Sequence, residues 1–332
     1  MPDGFIVTVI KSLVLVNLVM GVFAILTWVE RKLLGRFQVR YGPNRVGPRG
    51  LLQPIADLGK LLHKESIIPV GGGTILYLLA PFISLFTALA VFGVIPFGET
   101  ATIPFTDYQV DLYISNLNVA VLLVFALGSF SFYGFLIGGW SSSSKYSLYG
   151  SMRAVAQLVS YEVALTMAVI GVVMMSHSLS LIGIVQAQQH DGIWYIVPQF
   201  VGFLVYIAAS TAEVSRIPFD LPEAEGELVA GYHTEYGGMR WAMFQNAEYV
   251  AMIAFSALAS ILFFGGYWGP VSWIPGPIWM LLKMAVFIFL MIWVRGTLPR
   301  VRYDRLMTIG WKVLLPVATL NLVVTAIVIV GV

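Results

Sequence analysis

Eight apolar runs, each long enough to cross a membrane, dominate this 332-residue chain. A helix needs about 20 mostly apolar residues to span the hydrocarbon core of a bilayer. Since a bilayer cannot hydrogen-bond exposed backbone groups, such runs must fold as helices packed into a bundle. The runs fall at about 5–29, 75–97, 117–140, 154–176, 195–212, 250–268, 278–294 and 313–332.

The composition points to the same class of protein. The chain is 58% hydrophobic and 11% charged, with a formal net charge of only +2 and a mean hydropathy of +0.85. These values are typical of integral membrane proteins. We therefore predict an all-α integral membrane protein with eight transmembrane helices and long cytoplasmic loops, and residues 1–332 forming a single membrane domain. The first run is not predicted to be a cleaved signal, because Lys11 interrupts it and no basic region precedes it.

The basic residues predict the orientation. Apart from Lys11 and Lys283, every lysine and arginine falls in the first, third, fifth or seventh loop between the predicted spans. Cytoplasmic loops carry an excess of these residues in membrane proteins. The odd-numbered loops are therefore predicted to be cytoplasmic, and both termini are predicted to face outward.

The first loop predicts a helix that lies on the membrane surface. Its turn-rich segment, 41–50, is followed by apolar residues at helical spacing over about 51–63, with charged residues on the other side. This pattern is typical of an amphipathic interfacial helix. Membrane anchoring and ligand contact both remain open as its role. The apolar residues are Leu51, Ile55, Leu58 and Leu62, and the charged residues are Asp57, Lys60 and Lys64.

Several kinds of cofactor site are excluded. The chain has no cysteine, which excludes iron–sulfur clusters and thiolate metal sites. The histidines, at 63, 177, 190 and 233, all fall in loops or at span ends, so no pair can hold a haem in the membrane. There is no P-loop or GxGxxG spacing after a strand. We predict no metal site and no bound cofactor, so electrons or ATP energy must come from partners.

Acidic residues within or beside the spans predict a proton relay. Glu162 lies in the fourth run, Glu213 follows the fifth and Glu248 precedes the sixth. A charge at the centre of a membrane helix costs about 3 kcal/mol, so such residues are kept for a function, and a carboxyl group can accept and release protons. The alternative is a structural ion pair. For Glu213 both interpretations stay open, because Arg216 follows at ion-pair spacing on a helix. Lys283, in the seventh run, is predicted to pair with an acid.

A dense acidic segment separates the fifth and sixth runs. Asp220 followed by Glu223, with Pro222 between them, resembles a capping box at the start of a helix. Capping accounts for Glu223 but gives no reason for Glu225 and Glu227. We predict that these three glutamates take part in proton or ligand coupling.

Four segments of the inner loops resemble one known family. ERKLLGRFQVRYGPNRVGPRGLLQPIAD (30–57), GGWSSSSKYSLYGSMRAVAQLVSYEV (138–163), RIPFDLPEAEGELVAGYHTEYGGM (216–239) and LPRVRYDRLM (298–307) are similar to the H subunit of proton-pumping NADH:quinone oxidoreductase, respiratory complex I. The resemblance runs from about 30 to 312. Mitochondrial members of this family also have eight spans and no prosthetic group.

The resemblance implies roles for particular residues. The protein would line a chamber in which quinone, the substrate, approaches an iron–sulfur cluster held by a neighbouring subunit. Glu223, Glu225 and Glu227 would lie between this chamber and the membrane acids, and Glu162, Glu213 and Glu248 would begin a polar axis that couples quinone reduction to proton translocation. The residues implied to line or gate the quinone path are Arg31, Arg40, Asp57, Phe219 and Arg300.

The resemblance also implies partners and a location. FMN and the iron–sulfur clusters would belong to peripheral-arm subunits, while small membrane subunits, antiporter-like subunits and lipid would surround the chain. No nucleic acid is expected. The expected location is the bacterial cytoplasmic (inner) membrane, with both termini periplasmic.

Two other classes remain possible on the sequence. The chain resembles the equivalent subunits of ferredoxin- or F420-linked quinone reductases and of membrane-bound hydrogenases, and copurified partners would distinguish these. A stand-alone ion transporter would have discontinuous helices and repeat-related halves. The sequence shows no such repeat.

Overall fold

The computed structural model describes residues 4–102, 109–222, 229–271 and 273–331, and most of these residues are helical. The helices are α1 (Phe5–Phe37), α2 (Gln53–His63), α3 (Thr74–Ala90), α4 (Ala120–Ser141), α5 (Lys145–Ser176), α6 (Leu181–Asp191), α7 (Phe200–Glu213), α8 (Gly238–Phe264), α9 (Gly276–Thr297) and α10 (Tyr303–Gly331). The strands β1 (Thr100–Thr102) and β2 (Gln109–Asp111) pair antiparallel, with Thr100 opposite Asp111.

Seven of the described helices are long and apolar enough to cross a membrane: α1, α3, α4, α5, α8, α9 and α10. The prediction of a helical, multi-pass membrane protein is therefore confirmed. The predicted eighth span, 195–212, contains α7, which has only 14 residues. The count of eight spans consequently stays a prediction.

The helix α7 begins later than the apolar run because the backbone before it bonds elsewhere. The Tyr195 N–H donates to Gln188 Oε1 at 3.2 Å, and the Ile196 N–H donates to the Phe263 carbonyl at 2.9 Å. Pro198 has no N–H to donate to a helical turn. The chain from 195 to 199 therefore forms turns.

The central helix of the bundle is α8. It packs against α1, α2, α3, α5, α6, α7 and α9. By contrast, α1 and α10 lie at the periphery and leave most of their apolar side chains partly or fully exposed, as helices facing lipid or a partner would. The acid Glu248 is thus carried by the most enclosed helix.

The two ends of the bundle differ in character. One end, called the basic end here, carries Arg31, Arg216 and Arg300. The other, called the hairpin end, carries β1, β2 and α6. Neither the hairpin nor α6 was predicted from the sequence. Local signals for α6 exist, since Ser180 accepts a hydrogen bond from the Gly183 N–H at its start, and Gly192 adopts φ 67° after its end.

The helix α2 occupies the segment predicted to be amphipathic, and none of its residues is buried. All four apolar residues of the predicted face are exposed, with Ile55 the most exposed at 66%. A helix that buries no apolar face needs lipid or a partner to cover it. Its position at the membrane interface remains a prediction.

The prediction that Lys283 pairs with an acid is wrong. Its ammonium group donates to the carbonyls of Phe264, Gly266 and Trp268 at 2.6, 2.7 and 2.5 Å. These carbonyls lie at and just beyond the end of α8, where the helix leaves acceptors unpaired. The cation of α9 therefore caps α8 through the main chain.

We expect Lys283→Met to destabilise the membrane-embedded protein by about 3 kcal/mol or more, since each hydrogen bond to a charged group contributes about 1.5–3 kcal/mol. Thermal melting of the protein purified with its partners measures this loss. The control is Lys312→Met, the same change at an exposed position. Equal melting temperatures for the two variants would contradict the capping role.

Candidate functional site

A buried ion-pair cluster lies at the basic end. Glu30 Oε1 accepts hydrogen bonds from Arg216 Nη1 at 3.1 Å and from Arg295 Nη1. Glu30 is 2% exposed and Arg216 is 7% exposed. Buried charges persist only when they are paired. The cluster therefore joins α1, the segment after α7 and the end of α9.

Arg216 is also held by an aromatic ring. Its guanidinium lies 4.1 Å from the centroid of the Tyr249 ring, and Phe23 packs edge-on against Tyr249 with centroids 5.4 Å apart. Burial lowers the pKa of Arg216, but Glu30, Tyr249 and Glu248 outweigh it and leave the pKa raised above its usual value. Arg216 is thus a permanent positive charge within the electrostatic range of Glu248.

The alternative that Arg216 pairs with Glu213 is wrong. The helix α7 ends at Glu213, and Ser215 then adopts a left-handed φ of 53°. Spacing by three residues brings side chains together only within a continuous helix. Arg216 therefore turns away and pairs with Glu30.

Glu213 lines a small internal cavity. The cavity has a volume of about 50 Å³ and includes the hydroxyl-bearing residues Thr87 and Ser131; no other lining residue is acidic or basic. Within the described part of the chain, Glu213 Oε2 makes no hydrogen bond. This volume exceeds the roughly 10–15 Å³ that a cavity needs to hold a water molecule, so the cavity has room for water. A carboxyl group beside bound water is suited to proton exchange.

Glu162 lies on α5 and is partly buried. Its Oε1 accepts a hydrogen bond from Ser129 of α4, and its backbone carbonyl accepts from Thr166 Oγ1 at 2.8 Å. Glu162 and Glu213 are close enough to interact electrostatically. Neither Glu162 nor Glu248 contributes to the lining of the Glu213 cavity.

Glu248 is 8% exposed and accepts a hydrogen bond from the Tyr232 hydroxyl at 2.9 Å. Tyr232 is fully buried. It is brought close to α5 at Gly150, where a Cβ would lie 2.6 Å from the Gly231 Cα. Only a glycine permits this approach, so Gly150 indirectly positions the donor to Glu248.

Gln157 fixes the loop between α7 and α8 to α5. Its fully buried amide Nε2 donates to the carbonyls of Ala212 and Phe219, both at 2.7 Å. Tyr161 packs against Phe219 with ring centroids 5.5 Å apart. Phe219 is 8% exposed and is thus packed against α5 rather than free in the loop.

The residues implied to line the quinone path form two groups. In the first, Arg31 Nη1 and Asp57 Oδ2 are 2.6 Å apart, which joins α1 to α2. In the second, Arg300 Nη2 donates to Asp220 Oδ2 at 2.8 Å, close to Phe219.

Arg40 stands apart from both groups. It is exposed and donates to Gln38 Oε1 at 2.7 Å. Glu223, Glu225 and Glu227, and the proposed cap at Glu223, lie outside the described residues.

Sequence reasoning missed several residues of this site. Glu30 and Arg216 are 186 positions apart in the chain, and no local pattern links them. A weak signal existed for Glu30, because an acid opens the run of basic residues at the end of the first span. The missed residues are Glu30, Ser129, Gly150, Gln157, Tyr232, Tyr249 and Arg295.

Comparison with known proteins identifies the family. The sequence model of the family described as NADH dehydrogenase matches residues 10–326. The second H subunit of NADH-quinone oxidoreductase from Syntrophobacter fumaroxidans is 48% identical over 97% of this chain and 96% of its own length. The second H subunit from Rhizobium meliloti is 51% identical over 91% of each chain. This chain belongs to the NADH dehydrogenase family.

The match extends to a further relative and covers the whole candidate site. The H subunit of NADH-quinone oxidoreductase from Brevibacillus brevis is 48% identical over 97% of this chain and 93% of its own length. Every residue of the candidate site lies within the region that the NADH dehydrogenase family model matches, 10–326. The resemblance seen in segments 30–57, 138–163, 216–239 and 298–307 is therefore confirmed over nearly the full chain.

We expect Gln157→Leu to loosen the loop that carries Arg216. The Phe219 carbonyl would lose its buried donor, which costs about 1–3 kcal/mol. Thermal melting of the purified assembly measures the effect. Gln189→Leu, at an exposed position of α6, serves as the matched control. If both variants melt at the temperature of the unmodified protein, Gln157 does not anchor the loop.

Proposed function

We propose that this chain is the H subunit of a proton-translocating NADH:quinone oxidoreductase, respiratory complex I. It forms part of the quinone chamber and couples quinone reduction to proton pumping through buried glutamates. It is a non-redox component of the enzyme: it binds no cofactor, and FMN and the iron–sulfur clusters are carried by partner subunits. Family membership and the full-length match to proteins named as H subunits support this assignment.

The proposal includes a location and a set of neighbours. The chain crosses the bacterial inner membrane eight times, with both termini periplasmic and its basic end cytoplasmic. The distribution of lysine and arginine supports this orientation. The basic end meets the peripheral-arm subunits, which hold the terminal iron–sulfur cluster, and the flanks meet the small and antiporter-like membrane subunits.

The single observation that carries the coupling proposal is the arrangement of charges from the basic end into the bundle. Arg300 is 38% exposed at its side chain and pairs with Asp220, which is 7% exposed. A few residues earlier in the same loop, Arg216 is buried against Glu30 and within reach of the field of Glu248. Glu213 lines the internal cavity, and Glu162 lies close enough to Glu213 to interact with it electrostatically. Together these residues form a row of charged groups, which leads from the partly exposed cation Arg300 to acids inside the membrane.

The exposed arginines suit a quinone head group. Arg31 is 52% exposed at its side chain and is oriented by Asp57. Guanidinium groups donate charge-assisted hydrogen bonds to oxygen atoms that gain negative charge. Reduction of a quinone consumes two electrons from the partner's cluster and two protons, and gives the quinol. The two pairs, Arg31 with Asp57 and Arg300 with Asp220, therefore supply hydrogen-bond donors where the negative charge develops.

Charge at the quinone then redistributes protons along the row. Carboxyl groups that interact in a low-dielectric interior titrate together, so a new charge at one end changes protonation at the others. Arg216, a permanent charge fixed between Glu30 and Tyr249, interacts electrostatically with Glu248 and so ties this acid to the ion pairs of the basic end. In this proposal Glu223, Glu225 and Glu227 connect the chamber with Glu213, Glu248 and Glu162.

We expect Glu213→Gln to abolish proton pumping and to slow quinone reduction by about 100-fold, within the range lost when a proton-transfer group is removed. Glutamine keeps the shape and polarity of the side chain but cannot exchange a proton. The measurement is quinone reduction and internal acidification by the assembled complex in proteoliposomes.

The matched control is Glu65→Gln, the same change at an exposed acid of the first inner loop. Thermal melting confirms that both variants assemble. Normal quinone reduction together with normal pumping by the Glu213 variant would refute the relay.

A further inference from the structure

An apolar cavity opens on the outer surface of the bundle near the hairpin end. Its volume is about 290 Å³, and it lies between α1, the start of α9, the segment after α3 and the strand β2. Of the described residues that line it, Lys11, Asp111 and Tyr113 are polar, and all the others carry apolar side chains. A bound water molecule needs about two to four polar partners, which most of this wall does not offer. The cavity therefore suits a hydrocarbon chain.

The rim of the cavity belongs to the surface that α1 and α9 present to their surroundings. Val14 and Leu18 of α1 are 59% and 51% exposed, and Leu281 of α9 is 50% exposed. From Lys11 to Leu18, α1 rises about 10 Å along its axis. Both helices are long and apolar enough to cross a membrane, so the cavity opens toward the hydrocarbon core of a bilayer. A lipid chain that enters it makes the van der Waals contacts that an empty cavity forfeits.

The other end of the cavity meets a polar basin. Asp111 and Tyr113 line both the apolar cavity and this basin, which has a volume of about 460 Å³ at the hairpin end. The basin is also lined by Glu99, Asn116 and Ser178, so a polar head group finds hydrogen-bonding partners there. An apolar pocket with a few polar groups at one end binds a ligand in a fixed orientation. The cavity and basin together have the amphipathic character of a phospholipid.

Lys11 lies at the depth expected of a lipid head group. From Lys11 to Arg31, the first arginine of the basic end, α1 rises about 30 Å, which equals the thickness of the hydrocarbon core of a bilayer. Between these two residues only Glu30 is charged. With Arg31 at the head groups of one leaflet, Lys11 therefore reaches the head groups of the other. A lysine at this depth extends its ammonium group toward the membrane surface.

The hairpin fixes Asp111 at the mouth of the cavity. Directly after it, the Leu112 N–H donates to the Glu99 carbonyl at 3.0 Å. Gly98 lets the hairpin pack against the start of α9, because a Cβ there would lie 2.8 Å from Leu112 Cδ1 and 3.3 Å from Pro277 Cγ. A larger residue would push the hairpin away from α9. The Asp111 carboxylate is therefore carried by a backbone that is held in place.

We propose that this cavity and its polar end bind a phospholipid with a phosphatidylethanolamine head group. One acyl chain fills the cavity between α1 and α9. The Lys11 ammonium group binds the lipid phosphate, and the Asp111 carboxylate accepts hydrogen bonds from the primary ammonium group of the lipid. The lipid thus joins α1 to α9 and to the hairpin, at the end of α1 opposite Glu30. This site does not depend on the proposed function.

The two charges of the site predict its head-group selectivity. Phosphatidylethanolamine carries one charge of each sign, which matches Lys11 and Asp111. Phosphatidylglycerol offers no cation to Asp111, and the quaternary ammonium group of phosphatidylcholine has no N–H to donate. In a bilayer, an acyl chain gains little by leaving its apolar neighbours. The preference among these lipids should therefore come from the head group.

A photoreactive phosphatidylethanolamine, with a diazirine in its acyl chain, tests the site. The assembled complex is reconstituted in phosphatidylcholine nanodiscs with a trace of this lipid, and after illumination mass spectrometry maps the labelled residues of this chain. We expect the label to concentrate at Val14 and Leu18 on α1 and at Leu281 on α9. Unlabelled phosphatidylethanolamine should compete better than unlabelled phosphatidylglycerol or additional phosphatidylcholine.

Three substitutions test the parts of the site. Lys11→Met should reduce the labelling about fivefold, which corresponds to the loss of one basic contact with a lipid head group. Asp111→Asn should remove the preference for phosphatidylethanolamine over phosphatidylglycerol, because the amide no longer repels the anionic lipid. Leu18→Trp should block the labelling by filling the cavity while both charges stay in place. The controls make the same changes outside the cavity, and they are Lys312→Met, Glu99→Gln and Leu320→Trp.

Two results would overturn the site. One is labelling at the cavity that Lys11→Met and Asp111→Asn change neither in amount nor in head-group preference. The other is labelling no stronger at the cavity than on the exposed face of α10, as expected if a partner protein covers the cavity or only bulk lipid touches it. Leu18→Trp keeps the test decisive if a charge variant fails to assemble. Failure of the relay at Glu213 would leave all these outcomes unaffected.

Discussion

The burial of Glu30 between Arg216 and Arg295 is the interaction on which the basic end of this protein depends. It ties together three segments that are far apart in sequence: α1, the loop after α7 and the end of α9. Removing one partner of a buried pair leaves an uncompensated charge and costs about 3–5 kcal/mol. The loop after α7 is consequently fixed at Arg216, and Gln157 fixes it again at Phe219. The pair between the buried Asp220 and the partly exposed Arg300 can then form.

In the proposed function, this arrangement lets an event at the surface influence acids inside the bundle without a continuous channel. Arg216 lies in the field of both Glu30 and Glu248. Glu213, which lines a small cavity, also interacts electrostatically with Glu162. In a low-dielectric interior such fields act over several ångströms with little screening. The cavity beside Glu213 supplies room for water where proton exchange requires it.

The sequence predicts a structural feature when residues close together in the chain determine it, and fails when distant contacts do. Spans such as α4 and α9 follow from apolar length alone, and α2 follows from the spacing of Leu51, Ile55, Leu58 and Leu62. The interpretation of Lys283 failed because its partners are backbone carbonyls, which no pattern of side chains reveals. Of the two interpretations left open for Glu213, its pairing with Arg216 is wrong because α7 ends at Glu213 and Arg216 pairs with Glu30. Motifs in the inner loops identified the family, and the comparisons confirmed it, whereas the role of Glu30 arises from tertiary contacts.

The central claim is that quinone reduction changes the protonation of Glu213. The most direct measurement is the infrared difference spectrum of the assembled complex between its oxidised and reduced states, taken for the unmodified chain and for Glu213→Gln. The account predicts a carboxyl C=O band that changes on reduction in the unmodified protein and in the Glu65→Gln control, and that is missing from the Glu213→Gln spectrum. Identical carboxyl regions in all three spectra would contradict it.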